Sequence, residues 1–222
     1  FGLIGFSAIV GITLAIQTGW LLLVMGCACC FIGVFYTFGP IPLSRMPLGE
    51  VFSGVTMGLG IFAITVYLNT YDKKLFFMEL DLQHFAITGS TTAALAVVWA
   101  SIPLIATIAN IMLANNLCDL EQDIENHRYT LPFYLGKKNA VILFNLLMYG
   151  SYLAIVIGLI TGIYQWPILI TFLSLLKVYP QTKAFTKEQI KHKTFAMSIK
   201  NLVAFNGSYA LGLLVTLFWQ LI

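Results

Sequence analysis

The stretch "TTAALAVVWASIPLIATIANIMLANNLCDLEQDIENHRYTLPFYLG", residues 91–136, joins a long apolar run to the most polar part of the sequence. The apolar run covers about residues 86–114, which is more than the roughly 20 residues that a helix needs to cross a bilayer. Because Pro103 lies inside this run, we expect a kink there, or first turns that lie in the membrane interface. Directly after it, acids occupy every second position: Asp119, Glu121, Asp123 and Glu125.

The composition of the whole chain places it in a membrane. Of its 222 residues, 59% are hydrophobic and 9% are charged, which is about a third of the charge of a soluble domain. The apolar runs are continuous, and in lipid an open sheet would leave backbone groups unpaired, so strands are not expected. We predict an all-α integral membrane protein, one domain over residues 1–222 with about seven transmembrane helices. The predicted helices cover about residues 2–17, 20–38, 50–69, 86–114, 138–160, 163–179 and 198–221.

The basic residues predict which side of the membrane the acidic stretch faces. Lys73 and Lys74 fall on one side of the predicted helices, and the other ten Lys and Arg residues fall on the opposite side. The positive-inside rule makes the basic side cytoplasmic. The segment 115–138 is therefore expected to face the cytoplasm. The basic segment 183–193 faces the same side, either along the anionic leaflet or as a solvated loop.

Two of the four acids share a helix face. If the fourth helix continues through residue 125, then Asn115, Asp119 and Asp123 form one stripe, because positions four apart are neighbours. Oxygen donors of this kind suit Mg²⁺, which commonly combines one or two carboxylates with substrate phosphate oxygens. Arg128 follows, with Lys137 and Lys138 beyond it, and these cations could hold an anionic group. The alternative is a solvated loop whose acids balance the nearby bases.

Two motifs carry a resemblance to a known family. The pattern N-N-x-x-D-x-x-x-D followed by a basic residue, T-L and L-G resembles the second aspartate-rich motif of the UbiA superfamily of intramembrane aromatic prenyltransferases. Its matching residues are Asn115, Asn116, Asp119, Asp123, Arg128, Thr130, Leu131, Leu135 and Gly136. The segment "YTFGPIPLSRMPLGE", residues 36–50, resembles the family's Y-T-x-G-P-x-P-L-x-x-x-x-L-G-E connection between two helices.

The resemblance is strongest to the branch that prenylates 1,4-dihydroxy-2-naphthoate in menaquinone biosynthesis. It departs from that branch at Cys118, where Arg is usual, and at His127, where Gly is usual. Family members have nine helices and two aspartate-rich motifs, so we expect that two helices and the first motif precede Phe1 in the full-length protein. On that expectation, residues 1–222 alone would be inactive.

The resemblance also implies a chemistry. It implies a polyprenyl diphosphate and an aromatic acceptor as partners, together with the lipid bilayer and no nucleic acid, and Mg²⁺ as cofactor. Asp119, Asp123 and Asn115 would be metal ligands, with Asn116 as an alternative auxiliary ligand or substrate contact. The substrate-binding residues would be Arg128 and Lys137, on the diphosphate, and Tyr36, which faces the allylic cation or the acceptor unless it has only a structural role.

Other functions remain open from the sequence. Another acceptor within the same family is one, and a cation-coupled transporter that binds its ion at Asp119 and Asp123 is another. A transporter would place the acids near mid-membrane, whereas here they follow the end of a helix. A non-catalytic membrane scaffold is the third.

Overall fold

The computed structural model describes residues 2–38, 42–81 and 83–219 of the chain. Gly39 and Pro40 of the second motif, and the last two residues of the seventh predicted helix, lie outside these residues. The long helices are α1 (Gly2–Thr18), α2 (Trp20–Thr37), α3 (Gly49–Lys73), α4 (Thr91–Cys118), α7 (Lys137–Ile160), α8 (Leu175–Lys187) and α9 (Phe195–Trp219). Two short helices, α5 (Leu120–Glu125) and α6 (Leu131–Leu135), follow α4.

In the part of the chain that the structure describes, each of the seven predicted segments contains a helix, which confirms the all-α membrane architecture. Within the described residues, five helices are long and apolar enough to cross a membrane: α2, α3, α4, α7 and α9. Helix α1 is apolar but shorter, with 17 residues. The sixth predicted helix is a 3₁₀ segment, Trp166–Ser174, that continues into α8 as far as Lys187. The basic segment expected to be a loop from residue 183 is therefore partly helical, and only residues 188–194 connect α8 to α9.

Two short strands correct the expectation that the chain holds none. Strand β1 (Phe76–Leu80) pairs antiparallel with β2 (Phe85–Gly89), and the Asp81 carboxylate accepts hydrogen bonds from the backbone N–H groups of Gln83 and His84 at the turn. Helix α4 consequently begins at Thr91, not near residue 86. The two strands pair with each other in the connection between α3 and α4. Strands are excluded only where their backbone groups would be left unpaired in lipid, and this short hairpin connects the helices instead of crossing the membrane.

Helices α3 and α4 approach each other closely where α3 carries glycine. A Cβ atom on Gly54 would lie 2.8 Å from the Ile105 carbonyl oxygen, and one on Gly58 would lie 2.6 Å from the Ile105 nitrogen. Residues Gly54–Gly60 form a π-helical stretch of α3. Small residues allow this contact, as at many helix interfaces in membranes. The first turn of α3 is thereby held against the last turns of α4.

Much of the remaining core lies on the other side of α4. Close to its end, a buried apolar cluster joins α4 to α7 and α8; it consists of Leu113, Ala114, Leu117, Ala140, Phe144 and Phe185. A second cluster farther along joins α7, the 3₁₀ segment, α8 and α9, and includes Tyr152, Ile168 and Phe205. The end of α4 is therefore fixed by packing on both sides.

An apolar cavity of about 620 Å³ lies between α2, α3, α4 and the hairpin. Met25 and Ile32 of α2, Leu59 of α3 and Val97 of α4 line its walls, and Phe76 of β1 contributes at the hairpin. Tyr36 lies one turn beyond Ile32 on α2, and its hydroxyl is 3.4 Å from the Met112 sulfur on α4. The cavity thus leads along α2 toward the polar end of α4.

Candidate functional site

The stripe of oxygen donors forms across the end of α4. The helix ends at Cys118, and Asp119 adopts a non-helical backbone (φ −99°, ψ 5°) before α5 begins. The hydrogen bonds between positions four apart nevertheless continue: the Asp119 N–H donates to the Asn115 carbonyl at 3.1 Å, and the Asp123 N–H to the Asp119 carbonyl at 2.8 Å. The regular helix is interrupted at Asp119, but the hydrogen bonds between positions four apart continue through it. Asn115, Asp119 and Asp123 therefore still follow one another along one line.

Asn115 and Asp119 meet the same cation. The Lys191 ammonium, on the connection between α8 and α9, donates to Asn115 Oδ1 at 2.5 Å and also forms an ion pair with Asp119 Oδ2. The sequence predicts that the segment 183–193 lies on the leaflet or in solvent; Lys191 is partly exposed, but it also contacts the acidic stretch. Spacing in the sequence could not predict this contact, because 72 residues separate Lys191 from Asp119.

Asp123 pairs with Arg128 in a more enclosed place. Its side chain is 5% exposed, against 23% for that of Asp119, and Arg128 Nη1 lies 3.4 Å from Asp123 Oδ1. Arg128 Nη2 also donates to the Ser44 carbonyl at 3.4 Å, which ties the site to the connection between α2 and α3. Asp123 Oδ2, Arg128 Nε and Thr130 Oγ1 are buried and have no hydrogen-bond partner among the described residues. The contact between Asp123 and Arg128 thus does not satisfy all of the buried polar atoms around it.

A helix-terminating turn brings Arg128 back over Asp123. The Arg128 N–H donates to the Asp123 carbonyl at 2.8 Å, and the His127 N–H donates to the Ile124 carbonyl at 3.1 Å. These two bonds, with His127 at φ +54°, form the Schellman ending of a helix, in which Gly is the usual residue at the left-handed position. The Gly that the resemblance leads one to expect at position 127 is therefore explained by backbone conformation.

Burial sets the protonation behaviour of Asp123. It raises the pKa of this carboxyl above the ordinary value, and the Arg128 guanidinium opposes that shift because it favours the charged form. The Asp119 carboxylate adds a smaller upward effect. A second cation near Asp123 would therefore favour its ionised form.

The remaining acids divide as expected. Glu121 and Glu125 are exposed on α5, away from the buried Asp123.

Glu50 is a further carboxylate near the site, and it was not predicted from the sequence as a site residue. It is 3% exposed at the start of α3, accepts a hydrogen bond of 2.8 Å from Asn116 Nδ2, and leaves Oε2 without a partner among the described residues. An acidic residue in an apolar helix is a candidate functional residue. The position of Glu50 in the sequence could therefore have identified it.

Asn116 and Lys137 differ from the other predicted site residues in their surroundings. Asn116 is 2% exposed and turns to Glu50, so the adjacent asparagines face different partners. Lys137 is exposed at the start of α7, and in the described part of the chain it makes no side-chain hydrogen bond or ion pair.

The donors present fit an open site for a hard cation. Asn115 and Asp119 already contact the Lys191 ammonium, and in the described part of the chain the buried Asp123 carboxylate keeps one oxygen without a hydrogen-bond partner. In residues 2–38, 42–81 and 83–219, no group of three or more His, Cys, Asp or Glu side chains is placed to hold a metal ion. A set of two carboxylates and an amide oxygen is the kind that Mg²⁺ completes with phosphate oxygens and water.

Comparison with known proteins decides the family. The model of the UbiA prenyltransferase family matches residues 1–203. The chain belongs to the UbiA prenyltransferase family. It is also similar to the 1,4-dihydroxy-2-naphthoate octaprenyltransferase of Bacillus subtilis (strain 168), with 28% identity over 218 residues. That alignment covers 96% of this chain but 63% of the relative, so the chain spans less than two thirds of the relative's length. No solved structure matches the chain.

Membership of the UbiA family agrees with the architecture. The resemblance seen in the motifs at residues 36–50 and 115–136 is confirmed, and so is an integral membrane protein built of helices. Both motifs meet in the structure, because Arg128 of one contacts Ser44 of the other and Asn116 contacts Glu50. The two sequence motifs thus lie in contact with each other.

Proposed function

We propose that the full-length protein transfers a polyprenyl group from a polyprenyl diphosphate to an aromatic ring, and that the ring is 1,4-dihydroxy-2-naphthoate. The bond from the prenyl carbon to the diphosphate oxygen breaks, and a carbon–carbon bond to the ring forms. With this acceptor the ring carboxylate leaves as CO₂. The choice of acceptor is supported by the activity for which the relative in Bacillus subtilis is named and by the motif at residues 115–136.

The observation that carries the proposal is the pair of acid–cation contacts at the end of α4. Asp119 with Lys191, and Asp123 with Arg128, bring carboxylates and cations together beside buried donor and acceptor atoms that have no hydrogen-bond partner among the described residues. A magnesium diphosphate carries both charges and can engage both kinds of group. A solvated loop would not bury Asp123 or leave such atoms unpaired.

The proposed roles follow from this arrangement. Asp119, Asp123 and Asn115 hold Mg²⁺, which when bound neutralises negative charge that develops on the departing diphosphate. Arg128 binds diphosphate oxygens through its guanidinium, and Lys137 approaches them from the exposed start of α7. These groups act by charge and position, which is the main requirement for loss of an anionic leaving group.

The apolar cavity offers the isoprenoid a place among the membrane helices, and its lining residue Ile32 lies one turn from Tyr36. Its lining is hydrocarbon along α2, α3 and α4, and burial of an isoprenoid chain against such a wall is favourable. The Tyr36 hydroxyl contacts Met112 of α4, and we propose that the Tyr36 ring faces the allylic cation. We further propose that residues 115–138 face the cytoplasm, in a bacterial cytoplasmic membrane, because basic residues gather on that side.

The proposal is tested with membranes that contain the full-length protein. Release of diphosphate from a polyprenyl diphosphate should require both Mg²⁺ and 1,4-dihydroxy-2-naphthoate. The double variant Asp119→Ala, Asp123→Ala should lose roughly 10²–10³-fold in rate, since it removes the charges that hold the leaving group. The matched control is Glu121→Ala, Glu125→Ala, which removes two acids of the same segment that are exposed, and it should keep the wild-type rate. Equal rates in the two double variants would refute the assigned site.

A further inference from the structure

Lys191 occupies the place that a metal ion would need. Its ammonium contacts Asn115 Oδ1 and Asp119 Oδ2, which are two of the three donors assigned to Mg²⁺. The Lys191 side chain is 43% exposed, so solvent reaches it from the opposite side. Asn115 and Asp119 therefore contact a cation that belongs to the chain itself. The Lys191 side chain can swing away from them on its solvent side.

The connection between α8 and α9 presents this ammonium in a defined way. Thr194 is 3% exposed; its hydroxyl accepts a hydrogen bond of 2.9 Å from the Ile190 N–H, and its own N–H donates to the Ile190 carbonyl at 2.8 Å. The Lys191 ammonium also lies 4.8 Å from the centroid of the Phe195 ring. The backbone of the turn is thus held by a buried residue, while the four-carbon side chain of Lys191 can change its direction.

An ammonium and a divalent cation cannot share these oxygens without cost. Both need the oxygen lone pairs of Asn115 and Asp119, and their like charges repel at the separation that common ligands impose. A displaced lysine would remain beside the metal, with three N–H donors and a positive charge. The nearest use for such a group is an anionic oxygen of a phosphate bound to the same metal.

We propose that Lys191 is a diphosphate-contacting residue, which releases Asn115 and Asp119 to the divalent cation and turns to the phosphate oxygens when the metal and the diphosphate bind. The inference rests on the proposed function. Arg128 does not share this behaviour, because it is anchored to Ser44 and lies next to the more buried acid. Lys191 is then both the counter-ion of the metal-free site and a substrate contact of the loaded one.

The test measures binding, not turnover, with full-length protein in nanodiscs and with Mn²⁺ and inorganic pyrophosphate as probes. Lys191→Met keeps the length of the side chain and removes the charge. Lys193→Met is the matched control, since Lys193 lies in the same turn but pairs with the exposed Glu188 at 2.7 Å. Free Mn²⁺ is followed by electron paramagnetic resonance, and pyrophosphate binding is followed by calorimetry at saturating Mn²⁺. Size-exclusion profiles and thermal melts check that the variants fold.

Opposite changes in the two affinities are expected for Lys191→Met. It should bind Mn²⁺ at least about threefold more tightly than the wild type, because the competing charge is gone, and it should bind pyrophosphate about tenfold more weakly. Lys193→Met should stay within about twofold in both measurements. Lys191→Arg, which keeps a positive charge and N–H donors, should retain most of the pyrophosphate affinity.

An unchanged Mn²⁺ affinity or an unchanged pyrophosphate affinity in Lys191→Met overturns the inference. A separate variant, Asp119→Asn with Asp123→Asn, distinguishes this failure from failure of the proposed function. If that variant loses Mn²⁺ while Lys191→Met behaves as the wild type, then the metal site stands and only the role of Lys191 is wrong. If the Asn variant binds Mn²⁺ as the wild type does, the proposed metal site itself is wrong.

Discussion

Asp119 and Asp123 lie one turn apart, and each pairs with a cation, yet their surroundings differ. Asp119 is partly exposed and meets Lys191 from a distant turn, whereas Asp123 is almost fully buried and meets Arg128 from its own segment. Removing a partner from a buried charge costs much more than removing one from a charge near solvent. The difference separates a displaceable cation from an anchored one, although the two acids are neighbours in the same acidic stretch.

Glu50 extends this comparison to a carboxylate that is buried together with its partner. Asn116→Leu leaves Glu50 Oε1 without its hydrogen bond in an apolar surrounding, and we expect a loss of about 2–4 kcal/mol in the free energy of unfolding. Asn115→Leu, at the adjacent but half-exposed position, should cost less than half as much. Unfolding in mixed detergent micelles measures both. The double variant Glu50→Leu, Asn116→Leu should recover much of the loss, and failure to recover would mean that Asn116 acts through packing alone.

Arg128 and Lys191 allow the direct comparison of the two pairs. Arg128→Met should lower the free energy of unfolding by about 1–3 kcal/mol, because it strands a buried carboxylate, but its own partial exposure reduces the cost. Lys191→Met should change it by at most about 0.5 kcal/mol. Melting temperatures of the two variants are compared with that of Arg45→Met, an exposed arginine in the connection between α2 and α3. Equal destabilisation by the first two would remove the distinction between the pairs.

The smallest expected effect concerns the turn that carries Arg128. His127→Gly should raise the free energy of unfolding by about 0.5–1 kcal/mol, because Gly adopts the left-handed backbone without strain. His127→Ala, which keeps a Cβ atom, should give no such gain. The same variants should prefer the same aromatic acceptor as the wild type in a competition assay. A change of preference in His127→Gly would give this position a role in specificity beyond the backbone.

The sequence predicted most of the fold because apolar runs of membrane length leave the backbone few alternatives. It failed where that constraint ends: the hairpin between α3 and α4 was missed, and the helix before the 188–194 connection extends beyond its predicted end. The stripe of Asn115, Asp119 and Asp123 was predictable from spacing alone. Whether these residues bind a metal stays a prediction.

The long-range partners of the site were not predictable in the same way. Lys191 reaches Asp119 across 72 residues of sequence, and Glu50 reaches Asn116 across 66. Such contacts depend on how separate helices pack, and a periodic pattern in one segment carries no information about them. Glu50 stood within a recognised motif, but only its burial against α4 shows what it contacts.

The glycine contact between α3 and α4 makes the site sensitive to changes made outside it. Gly54 and Gly58 fix how closely the two helices lie, and Glu50 stands one turn before Gly54 on the same helix. A methyl group added at either glycine would push α3 away from Ile105 and carry Glu50 away from Asn116 with it. Such a substitution would resemble an active-site lesion in its effects, while every polar side chain remained present. The spacing between α3 and α4 therefore determines whether Glu50 and Asn116 stay in contact.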